Sequence, residues 1–153
     1  MNKQWGLPLS WLIMILVLIG CGSNDADLTR ITDDRAEEAE HFVGEYKEKM
    51  VEAYQTGNFN GLEPYLITNN SFYHSLRRYV TDSHSEGNEK ELLLFEVQAV
   101  YEDEEGELYV DAVEKVEITE QGNTHEVERD VRFELTKSGN NSLRIVTIRQ
   151  MNK

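Results

Sequence analysis

The chain has 153 residues and a formal net charge of -14 at pH 7, and 29% of its residues are charged. This length accommodates one domain with a single hydrophobic core and leaves no room for a second domain of ordinary size. The acidic balance opposes encounters with nucleic acid and other anionic polymers, so we expect no nucleic-acid partner. Cys21 is the only cysteine, which excludes an intramolecular disulfide.

Residues 1–20 have the pattern of a secretory leader. Lys3 supplies a positive amino-terminal region, and an interrupted apolar run follows from Leu7 to Ile19. A transmembrane helix needs about 20 consecutive apolar residues, and this run is shorter. The segment Leu18-Ile19-Gly20-Cys21 resembles the lipobox of bacterial lipoproteins, in which a signal peptidase cuts before a cysteine that carries a diacylglycerol. This resemblance implies that Cys21 is lipidated.

The leader divides the chain into three segments. We expect residues 1–20 to be a lipoprotein signal peptide, residues 21–33 to be the lipidated cysteine and a flexible tether, and residues 34–153 to be the folded domain. Two acyl chains, palmitate among them, hold a protein stably on a bilayer, whereas one chain binds reversibly. We therefore expect a protein held by the lipid on Cys21 at the extracytoplasmic face of the cell membrane.

Helical patterns begin directly after this tether. Asp34 and Glu37 form a capping-box pair, and an apolar stripe at helical spacing follows them. Aromatic residues recur on this stripe and on a later one, which is typical of a hydrophobic core. The predicted segments are a long helix from Asp34 to a C-cap at Gly57, a short helix from Asn60 to Leu66, and a third that begins at Asn69 or Asn70 and ends between Ser83 and Lys90.

After Glu91 the apolar period changes to two, which is typical of strands. The pattern predicts four strands at about 91–101, 107–119, 125–136 and 143–151, joined by turns at Glu105-Gly106, at Gly122-Asn123 and over residues 138–141. One face of these strands is apolar and the other is charged, which suits an antiparallel sheet covered by helices. The predicted fold class is α+β, with three N-terminal helices packed on a four-stranded antiparallel sheet.

The apolar face of this sheet has one polar region. Two-residue hairpin loops would fix a register in which Glu114 and Arg129 are diagonal neighbours, with Arg149 beside Arg129 and with Tyr101 and Thr147 on the same face. Two alternatives follow, because an unpaired buried charge is costly. Either Glu114 and Arg129 pair at the sheet margin with Arg149 in water, or these residues line a pocket with one surplus positive charge that binds an anionic group.

Four motifs between Glu40 and Met151 carry a family resemblance. They are Phe42-Val43-x-x-Tyr46, then Tyr54-x-x-Gly57-Asn58-Phe59-x-x-Leu62-x-Pro64-Tyr65-Leu66, then Ser71-x-Tyr73, and finally Leu143-Arg144-Ile145-Val146-x-Ile148. With these motifs the chain resembles the nuclear-transport-factor-2-like (NTF2-like, or cystatin-like) domain of the teicoplanin-resistance-associated TcaA family of bacterial envelope proteins. The resemblance implies a cone, in which three helices cover a strongly bent sheet and enclose a cavity. Members of that family usually carry a zinc ribbon and a transmembrane helix, where this sequence has a lipobox.

Two classes of function remain open. The leading one is a non-catalytic binding or protein-interaction domain in the cell envelope, with an envelope protein or a small anionic ligand as its partner. The alternative is a small-molecule enzyme of the isomerase or dehydratase type, with Glu114 as acid or base beside Tyr101 or Tyr46. Arg129 argues against catalysis, because it would keep Glu114 ionised and occupied. No cofactor or metal is predicted, since the four histidines share no ligand spacing.

Overall fold

The computed structural model describes residues 27–151, so the predicted leader, the lipobox and Cys21 lie outside the described residues. The elements are β1 (Thr29–Ile31), α1 (Asp34–Thr56), a 3-10 helix (Phe59–Tyr65), α2 (Ser71–Ser85), β2 (Glu89–Glu102), β3 (Leu108–Glu120), β4 (Asn123–Lys137) and β5 (Leu143–Met151). This order of helices and strands confirms the predicted α+β class. Within residues 27–151 no helix has both the length and the apolar character needed to cross a bilayer.

Side chains and a glycine set the ends of the helices. Asp33, one residue before the predicted start, caps α1 by accepting a hydrogen bond from the backbone of its first turn. Gly57 ends α1 with a φ of 69°, as predicted from its position. Asn70 caps α2, where its side chain accepts a hydrogen bond of 2.7 Å from the backbone N–H of Tyr73. The amide of Asn70 also donates to the carbonyl oxygen of Val146 at 2.9 Å, so the same cap joins α2 to β5.

The sheet is an antiparallel meander with the strand order β1-β2-β3-β4-β5. Its first strand, Thr29–Ile31, lies inside the segment 21–33 that we predicted to be a tether, and it pairs with Val100–Glu102 of β2. The prediction of four strands was therefore one strand short. This strand was not predicted because three residues are too few for an alternating pattern to stand out.

The helices cover one face of the sheet and form one core with it. Tyr46 of α1 meets Phe133 of β4 edge to face, with ring centroids 6.1 Å apart. The largest fully buried side chains come from both layers and include Tyr46, Tyr54, Leu62, Leu66, Phe133, Leu135 and Ile145. The core residues that the structure describes lie between Ile31 and Ile148, so a chain that begins at Gly22 contains all of them.

Both predicted hairpin loops differ from those in the structure. The loop between β2 and β3 has five residues, Asp103–Glu107, because the Asp103 side chain accepts hydrogen bonds of 2.9 Å from the backbone N–H groups of Glu105 and Glu107. The loop between β3 and β4 is Gln121-Gly122, one residue earlier than predicted, with φ angles of 52° and 80°. The predicted registers were therefore wrong, and Glu114 lies directly opposite Arg129 instead of diagonal to it.

Three β-bulges interrupt the sheet, between Leu92 and Leu94, between Val97 and Ala99, and in β5 beside the Glu134–Leu135 step of β4. A bulge adds one residue to one strand, and the residues beyond it then occupy the opposite faces from those that strict alternation predicts. The bulges therefore decide which side chains of β2 and β5 face the helices.

Candidate functional site

A cavity of about 300 Å³ lies between α1, α2 and the inner face of the sheet. This volume is at the lower end of the range of about 300–1,000 Å³ for ligand pockets. Most of the wall is apolar and is formed by Met50, Val51, Phe72, Leu76, Leu92, Val116, Val131, Phe133 and Ile148. The rest of the lining is polar or charged, and it consists of Tyr46, Tyr79 and Gln150 with the four charged side chains of Lys47, Lys90, Glu114 and Arg129.

Glu114 is the centre of the charged part of the cavity. It points inward from the middle of β3 and is 2% exposed. One carboxylate oxygen accepts a hydrogen bond from Nζ of Lys47, which reaches down from α1. The other accepts from Nε of Arg129, its direct cross-strand neighbour on β4, at 2.5 Å. Both oxygens of Glu114 are therefore occupied by cations.

The two cations keep Glu114 ionised. Burial raises the pKa of this carboxyl, but the charges and hydrogen bonds of Lys47 and Arg129 outweigh burial and hold the pKa below its usual range. Burial in turn lowers the pKa of Lys47, and Glu114 opposes that effect. The neighbouring phenol of Tyr46 is fully buried, and burial together with the charge of Glu114 raises its pKa. A carboxylate with a depressed pKa is a weak base, and each oxygen of Glu114 already accepts a hydrogen bond from a cation.

Lys90 is the second cationic feature of the cavity and lies on the inner face of β2. Its ammonium donates a hydrogen bond of 2.8 Å to the hydroxyl of Tyr79 and lies 5.0 Å from the ring centroid of Tyr54. Burial and, after it, the positive charge of Arg129 lower the pKa of Lys90. Across residues 27–151, no carboxylate forms an ion pair with this ammonium.

The cavity thus has an excess of two positive charges, because three cations face one carboxylate. This excess contrasts with the net charge of -14 for the whole chain. Neither Lys47 nor Lys90 was predicted from the sequence to line the pocket, although a signal exists for each. Lys47 follows Val43 by four residues on the buried stripe of α1, and Lys90 precedes the inward-facing Leu92 by two residues.

The structure brings together Glu114 and Arg129 but places Arg149 and Thr147 elsewhere. Both of these predictions were wrong, because Val146 is the extra residue of the bulge in β5 and the residues after it change face. Thr147 and Arg149 lie on the outer face of the sheet, and Arg149 forms an ion pair of 2.6 Å with Glu134 there. Ile148 takes the inward position in the cavity wall instead.

Tyr101 was also wrongly predicted to line the pocket. The bulge at Gln98 turns it to the outer face, where it pairs with Tyr109 of β3. The guanidinium of Arg132 lies 5.6 Å from the ring centroid of Tyr101, in a cation–π contact. The described residues also contain no cluster of three or more histidine, cysteine, aspartate or glutamate side chains that could hold a metal ion.

Comparison with known sequences places the whole domain in one family. Residues 35–149 match the family model described as the TcaA protein NTF2-like domain. An uncharacterized protein of Alkalihalophilus pseudofirmus is 64% identical over 151 residues, an alignment that covers 99% of each chain.

Solved structures share the fold at low sequence identity. The intermembrane space region of the chloroplast protein ARC6 aligns with a TM-score of 0.65 and 16% identity, over 80% of this chain and 99% of that one. Aln2 from a Streptomyces species aligns with a TM-score of 0.52 and 13% identity, over 75% of this chain and 91% of that one. At these identities the likeness extends to the fold alone.

Proposed function

The chain belongs to the TcaA family of NTF2-like domains, and on this premise we propose that it is a lipid-anchored envelope protein whose domain binds a partner without catalysis. The cavity beneath α1 and α2 is the proposed binding site. The observation that carries this proposal is the state of Glu114, which is buried in the cavity with both oxygens held by Lys47 and Arg129.

A catalytic role for the same cavity has less support. An NTF2-like enzyme needs an acid or base that faces its substrate and can exchange a proton near neutral pH. The depressed pKa of Glu114 and its two cationic partners favour a permanently ionised group. The raised pKa of Tyr46 likewise keeps that phenol protonated. The charged groups are therefore better suited to holding a ligand than to transferring protons.

The anchoring part of the proposal rests on the lipobox at Leu18 to Cys21. Diacylation of Cys21 would hold the domain at the outer face of the cell membrane, since two chains suffice for stable attachment. A partner would then be an extracytoplasmic molecule, such as another envelope protein or a small ligand that reaches the membrane surface.

The binding function is tested by a thermal-shift screen of the soluble chain from Gly22 against wall fragments, lipid headgroups and small organic acids. A ligand at 100 times its dissociation constant stabilises the folded state by about 2.7 kcal/mol. Leu76→Trp fills the cavity, and Leu94→Trp is the matched control at an exposed position on the sheet. We expect a stabilising compound whose effect is lost in Leu76→Trp and kept in Leu94→Trp.

Two results of that screen would contradict the proposal. Chemical conversion of a stabilising compound, abolished by Glu114→Gln, would make the protein an enzyme. Stabilisation of wild type and Leu76→Trp to the same extent would place the binding site outside the cavity.

The anchoring is tested separately in cells, by metabolic labelling with an alkyne analogue of palmitate followed by membrane fractionation. We expect the wild type to be labelled and to sediment with membranes, and Cys21→Ala to lose the label. Ser23→Ala is the control beside the cleavage site and should keep it. An unlabelled wild-type protein in the soluble fraction would refute the anchor.

A further inference from the structure

We infer that the cavity is a site for an amphipathic organic anion, whose oxyanion head lies between Lys90 and Arg129 and whose apolar body lies against α1 and α2. This inference rests on the proposed binding function and names the class of ligand. It follows from three properties of the described residues, namely unused hydrogen-bond donors, uncompensated positive charge and an apolar wall.

Both cations have donors left for a ligand. Arg129 uses Nε to hold Glu114, and its two terminal nitrogens make no hydrogen bond within residues 27–151. Lys90 uses one of its three N–H groups for the hydroxyl of Tyr79. The side chain of Arg129 is 34% exposed, so a ligand can reach it from solvent. A carboxylate or phosphate placed between the two would accept charge-assisted hydrogen bonds from both.

An anionic head fits because the positive charges of the cavity outnumber its one carboxylate. Lys47 and Arg129 share Glu114, and within residues 27–151 Lys90 forms no ion pair, so Glu114 and Glu120 act on it only from a longer distance. Lys90 and Arg129 therefore repel each other inside a partly apolar cavity. An anion between them would replace this repulsion with two attractions, whereas a neutral or cationic ligand would leave it in place.

An apolar body fits because nine of the residues that line the cavity are apolar, against Tyr46, Tyr79 and Gln150 as the uncharged polar ones. Phe72 and Leu76 of α2 face Val51 of α1 and Leu92 of β2 across the cavity, and Ile148 continues the wall along β5. A small inorganic ion would leave this surface in contact with water. A ligand with a hydrocarbon body removes this surface from water, which favours binding.

The inference is tested by isothermal titration of the soluble chain from Gly22 with ligands that share one eight-carbon body. Octanoate and octyl phosphate carry the two oxyanion heads, 1-octanol is neutral and octylammonium is cationic, while acetate is a head without a body. We expect at least one of the two anions to bind ten or more times as tightly as 1-octanol, a ratio that corresponds to about 1.4 kcal/mol. Octylammonium and acetate should bind more weakly than 1-octanol. Comparison of octanoate with octyl phosphate identifies the preferred head.

Lys90→Met locates the head, because methionine replaces the unbranched four-atom stem of lysine and lacks its ammonium group. We expect this variant to lose the tenfold preference for the anion over 1-octanol while it retains its affinity for 1-octanol. Lys115→Met is the matched control, since Lys115 lies on the outer face of β3 and pairs with Glu126. It should bind all five ligands as the wild type does. The melting temperature of Lys90→Met is measured beside the titration to show that the variant folds, since it loses the hydrogen bond to Tyr79 and the cation–π contact with Tyr54.

Equal affinities for octanoate, octyl phosphate and 1-octanol would overturn the inference, and so would an unchanged preference in Lys90→Met. These failures are distinguishable from failure of the proposed function. If the screen yields a compound whose effect Leu76→Trp abolishes while neither octyl anion binds, the ligand class is wrong and the binding function stands. If neither the screen nor the titration yields a ligand, both are wrong.

Discussion

Glu114 lies in the cavity with 2% of its surface exposed, and its charge is compensated by Lys47 from one side and Arg129 from the other. Glu114→Gln keeps the shape of the side chain and removes its charge. The two cations then face each other without a counter-ion, and such a change costs about 3–5 kcal/mol in buried pairs. Because Arg129 is partly exposed, we expect a loss of about 3 kcal/mol in the free energy of unfolding. Urea denaturation of the chain from Gly22 measures this loss.

Glu126→Gln is the matched control for this variant. Glu126 pairs with Lys115 on the outer face, where its side chain is 51% exposed, and exposed ion pairs contribute about 0–1 kcal/mol. A loss in Glu114→Gln no larger than that in Glu126→Gln would contradict the view that Glu114 holds α1 to the sheet.

The depressed pKa of Glu114 also predicts how stability depends on pH. A carboxyl whose folded-state pKa lies below its unfolded value of about 4.5 stabilises the fold fully above that value. This contribution is lost as the pH falls through the folded-state pKa, because the protonated carboxyl no longer attracts Lys47 and Arg129. We therefore expect the difference in melting temperature between wild type and Glu114→Gln to be constant from about pH 7 to pH 5 and to narrow below about pH 4.5.

The other carboxylates are present in both proteins, so their effects on the melting temperature largely cancel in the difference between wild type and Glu114→Gln. A difference that widens on acidification would mean that the folded-state pKa of Glu114 lies above its unfolded value, which would restore it as a candidate acid.

At the scale of elements, the helices and the four long strands could be predicted from the sequence because each has a clear apolar period over ten residues or so. The pairing of Glu114 with Arg129 survived an incorrect register, since an error of two residues keeps side chains on the same face. Thr147 and Arg149 were misplaced because a bulge is one extra residue without a compositional signature. Lys47 and Lys90 also lie on apolar stripes. Neither was predicted to line the cavity, because a charged residue in such a pattern is normally assigned to the surface.

The junction between α1 and α2 gives a prediction at this scale. Gly57 ends α1 at a φ of 69°, and a Cβ atom there would lie 2.5 Å from Cδ2 of His84 in the last turn of α2. Left-handed backbone costs a residue with a side chain about 1–2 kcal/mol, and the steric clash adds to this. We expect Gly57→Ala to lower the free energy of unfolding by at least about 1 kcal/mol in urea denaturation.

Gly44→Ala is the matched control, because Gly44 lies in the middle of α1 with no atom within 4 Å of an added Cβ. It should raise the free energy of unfolding by about 0.5–1 kcal/mol through helix propensity. In a His84→Ala background the steric clash is absent. The loss of unfolding free energy caused by Gly57→Ala should then fall to the cost of the left-handed backbone alone. An unchanged cost in that background would show that His84 moves aside freely and that the two helix ends are not coupled.

At the scale of the whole molecule, the distribution of charge links stability to the proposed binding function. The chain carries a net charge of -14, while its cavity carries three cations and one carboxylate. Anions are therefore repelled by most of the surface and attracted at one place, which favours selective entry of an anionic ligand over non-specific adsorption. The outer face balances part of its charge through cross-strand pairs such as Arg132–Asp111 at 2.6 Å and Arg149–Glu134 at 2.6 Å.

The remaining self-repulsion predicts that salt stabilises the fold. Raising the ionic strength from about 0.01 M to about 0.15 M shortens the Debye length from about 30 Å to about 8 Å, which screens repulsion between distant carboxylates on the surface. We therefore expect the melting temperature of the chain from Gly22 to rise over this range. The loss caused by Glu114→Gln should stay the same at both ionic strengths, because buried pairs are screened much less than exposed ones. A melting temperature that falls with salt would mean that the outer cross-strand pairs outweigh the net repulsion. A salt-sensitive loss in Glu114→Gln would mean that salt screens the ion pairs of Glu114 as it screens exposed ones.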